Sequence, residues 1–179
     1  LRRHFGLTVK DPKATSYVPV LAVFAVALTI ALAIGHLTGT PLIGVETIGR
    51  FIATAMLLLA MLKLQDVERF ATMFLNYDLL AKRWVPYSYI YPYAEGAAGV
   101  LMAAGVLTWL SVPIALVIGT IGAVSVIKAV YVDKRELKCA CVGGDSNVPL
   151  GFLSLTENVM MVAMALWMVA APAALSIAH

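Results

Sequence analysis

The chain has 179 residues, of which 61% are hydrophobic and 13% carry a formal charge. Soluble domains are about half apolar and about a quarter charged, so this composition excludes an ordinary water-soluble domain and indicates a membrane protein. The net charge is only +3, and the basic residues are scattered between apolar runs. This scatter excludes a nucleic-acid-binding surface, which needs basic residues gathered on one face.

Apolar runs long enough to cross a membrane make up most of the chain. A helix rises about 1.5 Å per residue, so a hydrocarbon layer of about 30 Å needs about 20 apolar residues. We therefore predict an all-α, polytopic membrane bundle that is embedded in the lipid bilayer. The five predicted transmembrane helices lie at about residues 17–37, 47–64, 87–110, 112–131 and 154–174.

Two stretches carry further signals. Residues 66–83 hold too many charges for a span, and their apolar residues recur at helical spacing, which predicts an amphipathic helix at the membrane interface or extending the second span. Residues 87–132 are too long for one crossing. The segment Trp109–Pro113 predicts the break, because Ser can cap a helix and Pro suits its first turn. The tyrosines that alternate between positions 87 and 93 are expected in an interfacial belt.

The placement of Lys and Arg predicts the orientation. With five spans and a cytosolic N-terminus, every Lys and Arg except Arg50 falls on the inner side. Inner loops of membrane proteins are enriched in these residues. We therefore predict a multi-pass protein of the bacterial inner membrane, with its N-terminus in the cytosol and its C-terminus outside.

The two cysteines of the chain, Cys139 and Cys141, lie one residue apart in the last predicted inner loop. A pair this close forms no disulfide framework and indicates redox chemistry or metal ligation. Gly143 and Gly144 give the backbone freedom to bring the two sulfurs together. Lys138 and the start of the next helix favour the thiolate, which is the reactive form. We predict a reactive dithiol, and the alternative is a pair of inert reduced thiols.

Two acidic residues are also candidates. Glu95 lies about 12 Å along the third predicted span, and an ionisable residue at that depth indicates a functional group. The alternative is a Glu that is protonated, or paired with a Tyr hydroxyl, Lys63 or Lys128. Residues 154–157 match a capping box, so Glu157 is expected to close the start of the last helix. Its alternative role is a carboxylate near the cysteines that moves protons or helps to bind a cation.

Three methionines, Met160, Met164 and Met168, recur every four residues in the last span and so share one face of the helix. Thioethers suit Cu(I), so this stripe behind a cysteine pair could form a path for a soft metal. Methionine at helical spacing more often serves packing, which is the interpretation we favour.

Several motifs resemble a known family. The segment Leu62–Asp66, the segment Phe74–Ala81 and the residues Tyr91-Pro92 with Glu95-Gly96 resemble the MauE/DoxX family of redox-associated membrane proteins. The cysteine pair with residues 147–158 is similar to the branch of that family that has two cysteines before the last helix. The likeness covers roughly residues 45–170.

The start of the chain adds to this resemblance. Residues 1–6 resemble the closing helix of a glutaredoxin domain, which that branch carries ahead of its membrane part. Residues 1–13 would then be the end of this upstream domain or a linker, and residues 14–179 the membrane domain. The resemblance implies a role in thiol–disulfide traffic, since MauE is associated with maturation of methylamine dehydrogenase, whose small subunit is rich in disulfides.

We therefore predict a membrane redox component in which Cys139 and Cys141 exchange electrons with a glutaredoxin-like domain or another thiol protein. The residues do not decide whether the chain is itself a thiol–disulfide oxidoreductase. They also do not decide whether it forms homo- or hetero-oligomers. One alternative is a carrier that binds Cu(I) or Hg(II) through the same cysteines. A second is a non-catalytic scaffold subunit, for which a patch of small residues facing the lipid is expected.

Overall fold

The computed structural model describes residues 17–137, 139 and 149–170, and all regular structure in this part of the chain is helical. The predicted roles of Lys138, Cys141, Gly143 and Gly144 fall outside the described residues. There are six α-helices within them, the fifth of which continues as a π-helical segment, Ile127–Val132. The α-helices are α1 (Val18–Thr38), α2 (Val45–Leu64), α3 (Val67–Phe74), α4 (Pro86–Ala104), α5 (Thr108–Val126) and α6 (Leu150–Ala170).

Four helices are long and apolar enough to cross a membrane, namely α1, α2, α5 with its π-helical continuation, and α6. The all-α, multi-span character predicted from the sequence is thus confirmed for the described residues. Helix α4 has 19 residues, but Glu95 and its tyrosines make it less apolar than the other four. A fifth span through α4 therefore stays a prediction, and so does the orientation.

The helices form a bundle around α2, α4, α5 and α6. Helix α4 packs between α2 and α5, and α6 packs along α5 and also contacts α2. Helix α1 lies on the outside of α2, against which it places a stripe of small residues, Ala27, Ala31 and Gly35. The short helix α3 lies against α4. This arrangement brings the middle of α4 and the first half of α6 to the C-terminal end of α2.

Small residues allow the close helix contacts inside the bundle. A Cβ atom on Gly99 of α4 would lie 3.2 Å from backbone atoms of Ala53 and Leu57 on α2. A Cβ atom on Gly122 of α5 would overlap the side-chain amide of Asn158 on α6. These glycines face other helices of the same chain and not the lipid. They therefore let the helices of the bundle approach each other closely.

The break between α4 and α5 lies earlier than predicted. Helix α4 ends because Gly105 adopts a left-handed conformation with φ 65°. The N–H groups of Gly105 and Val106 then bond to the carbonyls of Met102 and Leu101, at 3.2 and 3.1 Å, which is the common glycine-terminated helix end. The predicted spans 87–110 and 112–131 are therefore wrong at this junction. Pro113 lies in the second turn of α5, where its missing N–H removes one bond without ending the helix.

The amphipathic segment is helical only in its first half. Asp66 caps α3 by accepting the N–H of Arg69 at 3.0 Å, and Phe70 and Phe74 are buried, as the spacing predicted. After Phe74 the chain turns, because the carboxylate of Asp78 accepts the N–H groups of residues 80 and 81 at 2.9 and 2.8 Å. A side chain that bonds to nearby backbone in this way competes with helix formation.

Helix α6 begins at Leu150, four residues before the predicted start of the last span. Pro149 precedes it directly, and Pro is common at helix starts. The N–H of Leu150 bonds to the carbonyl of Leu137 at 2.8 Å. The capping-box prediction for residues 154–157 is therefore wrong, because Ser154 and Glu157 lie a full turn inside the helix and are buried.

Candidate functional site

A buried ionic cluster joins three helices in the bundle. The ammonium of Lys63, in the last turn of α2, lies 2.5 Å from Oε2 of Glu95 on α4 and also contacts Oε1 of Glu157 on α6. The side chains of these three residues are at most 2% exposed. We call Lys63, Glu95 and Glu157 the acid–lysine cluster. Both acidic residues predicted from the sequence are thus brought together, and they share one lysine.

Aromatic rings face the ammonium of the cluster. The Nζ atom of Lys63 lies 5.3 Å from the ring centroid of Tyr91 and 6.0 Å from that of Phe70. Tyr91 lies one turn before Glu95 on α4, which places both on one side of the helix. A cation is attracted to the face of an aromatic ring, and more strongly where water is excluded. The rings therefore add to the contacts that hold the Lys63 side chain in this buried position.

A hydrogen-bond network extends the cluster along α6. The hydroxyl of Tyr91 donates to Oδ1 of Asn158 at 3.3 Å, and Nδ2 of Asn158 donates to the carbonyl of Ser154 at 2.6 Å. Asn158 follows Glu157 in the chain, so the same helix supplies a carboxylate to Lys63 and an amide to Tyr91. This network fixes the ring of Tyr91 beside the ammonium.

Cys139 precedes α6 in the chain and packs against its first turns, next to this network. Its side chain is 2% exposed, and Sγ is 3.1 Å from Oγ of Ser154. It also packs with Val20 of α1 and Leu153 of α6. Ser154 and Glu157 are three residues apart and share a face of α6, about 4.5 Å apart along the helix axis. Through Ser154, the thiol of Cys139 therefore lies about one turn of α6 from Glu157 of the acid–lysine cluster.

Of the predicted site residues, the structure brings Cys139, Glu95 and Glu157 to one region of the bundle. Sequence reasoning named Lys63 only as one alternative partner of Glu95, and it did not assign Ser154 or Tyr91 to the site. The position of a lysine at the end of an apolar run is the signal that could have identified Lys63. The expected tyrosine belt is wrong in part, because Tyr87 and Tyr91 are buried against α3 while Tyr89 and Tyr93 are exposed.

A cavity of about 470 Å³ opens at the other end of the bundle, far from Cys139. Arg50 lies at this cavity and is bonded to Thr40 at 2.7 Å, with Glu46 at 3.7 Å. Two residues of the methionine stripe, Met164 and Met168, also line it. A Cβ atom on Gly49 would lie 2.8 Å from the methyl carbon of Met164, so this thioether side chain fills the space over a glycine. That contact supports the packing interpretation of the stripe.

Comparison with known proteins gives one match. The family described as Methylamine utilisation protein MauE matches residues 41–171, a range that includes the whole acid–lysine cluster and both cysteines. No curated protein and no solved structure matches the chain significantly. Since the match spans well over half of the sequence, the chain belongs to the MauE family.

Proposed function

We propose that this MauE family member is a membrane thiol–disulfide exchange protein whose dithiol is Cys139 and Cys141. The observation that supports this most directly is the environment of Cys139, which is buried with its sulfur against the hydroxyl of Ser154. That hydroxyl can form a hydrogen bond with the sulfur and so holds it beside the first turns of α6. The sequence adds Lys138 and the start of α6, which favour a reactive thiolate in the pair.

The two cysteines take different roles in this proposal. At 2% exposure, Cys139 is out of reach of another protein's active site. Cys141 therefore attacks a disulfide of the partner, which forms a mixed disulfide and releases one partner thiolate. Cys139 then attacks the sulfur of Cys141, which forms the Cys139–Cys141 disulfide and releases the second partner thiolate. Two electrons pass from the dithiol to the partner, and the reverse sequence reduces the chain.

The proposed partner is a glutaredoxin-like domain on the cytosolic side, which belongs to the branch of the family that the sequence resembles. A disulfide between residues i and i+2 closes a small ring, and departures from relaxed disulfide geometry make the bond easier to reduce. Such a bond would cycle with a glutathione-linked thiol protein instead of persisting. This role and the redox assignment would place the cysteines in the cytosol.

A fifth span through α4 gives this orientation. Helix α4 is about 29 Å long at about 1.5 Å per residue, which matches the hydrocarbon layer. It buries Tyr91 and Glu95 toward the bundle, while Ile90 and Val100 are about half exposed on its outer face. A helix with polar groups inward and apolar groups outward suits a lipid environment. Five spans put the N-terminus and the cysteines on one side.

The two alternative functions have less support. Among the described residues, no group of three His, Cys, Asp or Glu side chains could hold a metal ion, and Met164 fills space over Gly49. A carrier for Cu(I) or Hg(II) would therefore gain no such ligand group from the described residues. The scaffold alternative expects small residues toward lipid, whereas Gly99 and Gly122 contact other helices of the chain.

The proposal is tested by trapping the mixed disulfide. The reduced protein, in lipid nanodiscs, is treated with oxidised glutathione, and the intact mass is measured. Cys139→Ser should accumulate the glutathione adduct on Cys141, because the resolving thiol is gone. Cys141→Ser should react far more slowly, because the remaining thiol is buried. The double variant is the control. Equal adduct formation in the two single variants would refute the division of roles, and full function in the double variant would refute the redox proposal.

A further inference from the structure

We propose that the cavity beside Arg50 binds one membrane phospholipid whose zwitterionic headgroup carries a free amine, as in phosphatidylethanolamine. The phosphate contacts Arg50, the ammonium contacts Glu46, and one acyl chain enters the cavity. The cavity has a volume of about 470 Å³ and lies between the starts of α2 and α5 and the ends of α4 and α6. The inference rests on this end of the bundle and does not depend on the thiol chemistry.

The wall of the cavity is largely apolar and adaptable. Met102 of α4 and Met164 and Met168 of α6 line it, together with Trp167. Thioether side chains are flexible and can follow the shape of a variable apolar ligand. The volume falls within the range of about 300–1,000 Å³ that is typical of small-molecule pockets. A phospholipid with two chains is larger than this, so the cavity takes part of one chain while the rest of the lipid stays in the bilayer.

Arg50 supplies a cationic group at this cavity. Within the described part of the chain, its Nη1 donates to Oγ1 of Thr40 at 2.7 Å, whereas Nη2 lies 3.7 Å from Oε2 of Glu46, which is too far for a hydrogen bond. A guanidinium has five N–H donors in a fixed fork that matches phosphate oxygens. Arg50 can therefore bind a phosphate and keep the bond to Thr40 that holds it in place.

Glu46 makes the site complementary to a zwitterion and not to a simple anion. Its side chain is 42% exposed and that of Arg50 is 23% exposed, so a ligand can reach both. The carboxylate opposes a second negative charge beside Arg50 and offers a partner to an ammonium group. A two-carbon link joins the phosphate and the amine of an ethanolamine headgroup. One headgroup can therefore contact both residues, whose charged atoms are 3.7 Å apart.

The charged and apolar parts of the site are ordered like those of a lipid at a membrane surface. Glu46 lies in the first turn of α2, and Thr40 lies in the connection between α1 and α2. Met164 lies six residues before the end of α6, which is about 9 Å along the helix. Helices α2 and α6 are long enough to cross a membrane, so their ends lie near its surface. The headgroup therefore lies at the surface and the chain runs inward.

Native mass spectrometry of the full chain tests the proposal. The delipidated protein, in detergent, is mixed with equal amounts of phosphatidylethanolamine and phosphatidylglycerol. We expect one retained lipid per chain, with phosphatidylethanolamine in excess. Glu46→Gln should lower this preference by up to about fivefold, the size expected for a partly exposed ion pair. Arg50→Gln should lose retention of both lipids. Inorganic phosphate should not displace the lipid, because it has neither an amine nor an acyl chain.

Two variants of α4 form a matched pair. Ala97 and Ala103 are both exposed on this helix, but only Ala103 lines the cavity. Ala103→Phe places a ring in the cavity and should abolish retention of the lipid, whereas Ala97→Phe should retain it. This comparison holds even if Arg50→Gln fails to fold. Equal retention in the two Phe variants would overturn the proposal, and so would a preference of the parent protein for phosphatidylglycerol. Displacement by inorganic phosphate would indicate a site for free anions and would also overturn it.

Discussion

Substitution of Gly122 by alanine tests whether the network between α4, α5 and α6 has the geometry described. An alanine Cβ would overlap Oδ1 of Asn158 and lie 2.7 Å from its Cγ. The amide would have to rotate away, because contacts under about 3 Å are not tolerated in a packed interior. Rotation breaks the bond from Tyr91 at 3.3 Å and the bond to the carbonyl of Ser154 at 2.6 Å.

The expected magnitude follows from these two bonds. Each buried group that loses its partner costs about 1–3 kcal/mol, whereas Ala in place of Gly in a helix contributes about 1 kcal/mol in the other direction. We expect Gly122→Ala to lower the free energy of unfolding by roughly 1–5 kcal/mol in total. Gly96→Ala is the matched control, because its Cβ would meet the Cβ of Ala60 at 3.4 Å, which is ordinary contact.

A double-mutant cycle with Asn158→Ala makes the test specific. Once the amide is absent, the Cβ on Gly122 has nothing left to displace, so the double variant should be no less stable than Asn158→Ala alone. Reversible unfolding of the four proteins in one detergent gives the coupling energy. Strictly additive losses, or a Gly122→Ala variant as stable as the parent, would refute the packing of Gly122 against Asn158.

Three further predictions follow from the site and the loops. A membrane-impermeant thiol reagent should label Cys141 only from the cytosolic face, and labelling of intact cells from outside would refute the proposed orientation. Burial raises the pKa of Asp78, although the backbone N–H groups of residues 80 and 81 and the hydroxyl of Ser125 act against it. A raised folded-state pKa means that stability is lost as pH rises through it. Asp78→Asn keeps the acceptor oxygen but cannot titrate. In this variant the free energy of unfolding should therefore fall less between mildly acidic and neutral pH than in the parent protein. An equal fall in both proteins would contradict the prediction. Met164→Leu is a nearly volume-conserving change and should leave function intact, whereas Cys141→Ser should not. Stoichiometric binding of Cu(I), together with slower passage of the ion across vesicles in Met164→Leu, would instead favour transport.

The positions of most helices could be predicted from the sequence because a lipid environment sets both their length and their composition. The first two helices begin and end within a few residues of the predicted spans. The end of α4 could not be predicted from Trp109–Pro113, because a left-handed Gly105 terminates the helix before that signal is reached. Both segments contain residues typical of helix boundaries, and only the packed structure decides which one is used.

The predicted site shows the same limit. Glu95 was identified because an ionisable residue in a span is costly, and that reasoning needs no knowledge of its partner. The role of Glu157 was misjudged because Ser154 and Glu157 have the spacing of a capping box, whereas α6 starts a turn earlier. Lys63 contacts Glu95 and Glu157, which lie 32 and 94 positions after it in the chain. No local pattern contains that information.

The composition of the acid–lysine cluster argues for a role beyond holding the helices in register. One lysine with one glutamate would suffice to align α2 with a single neighbour, and a buried pair of this kind often adds little stability compared with apolar residues of similar size. The structure places a second carboxyl group on the same ammonium. Ser154 contacts Cys139 and lies one turn before Glu157 on α6, which puts the acid–lysine cluster beside the proposed thiol chemistry.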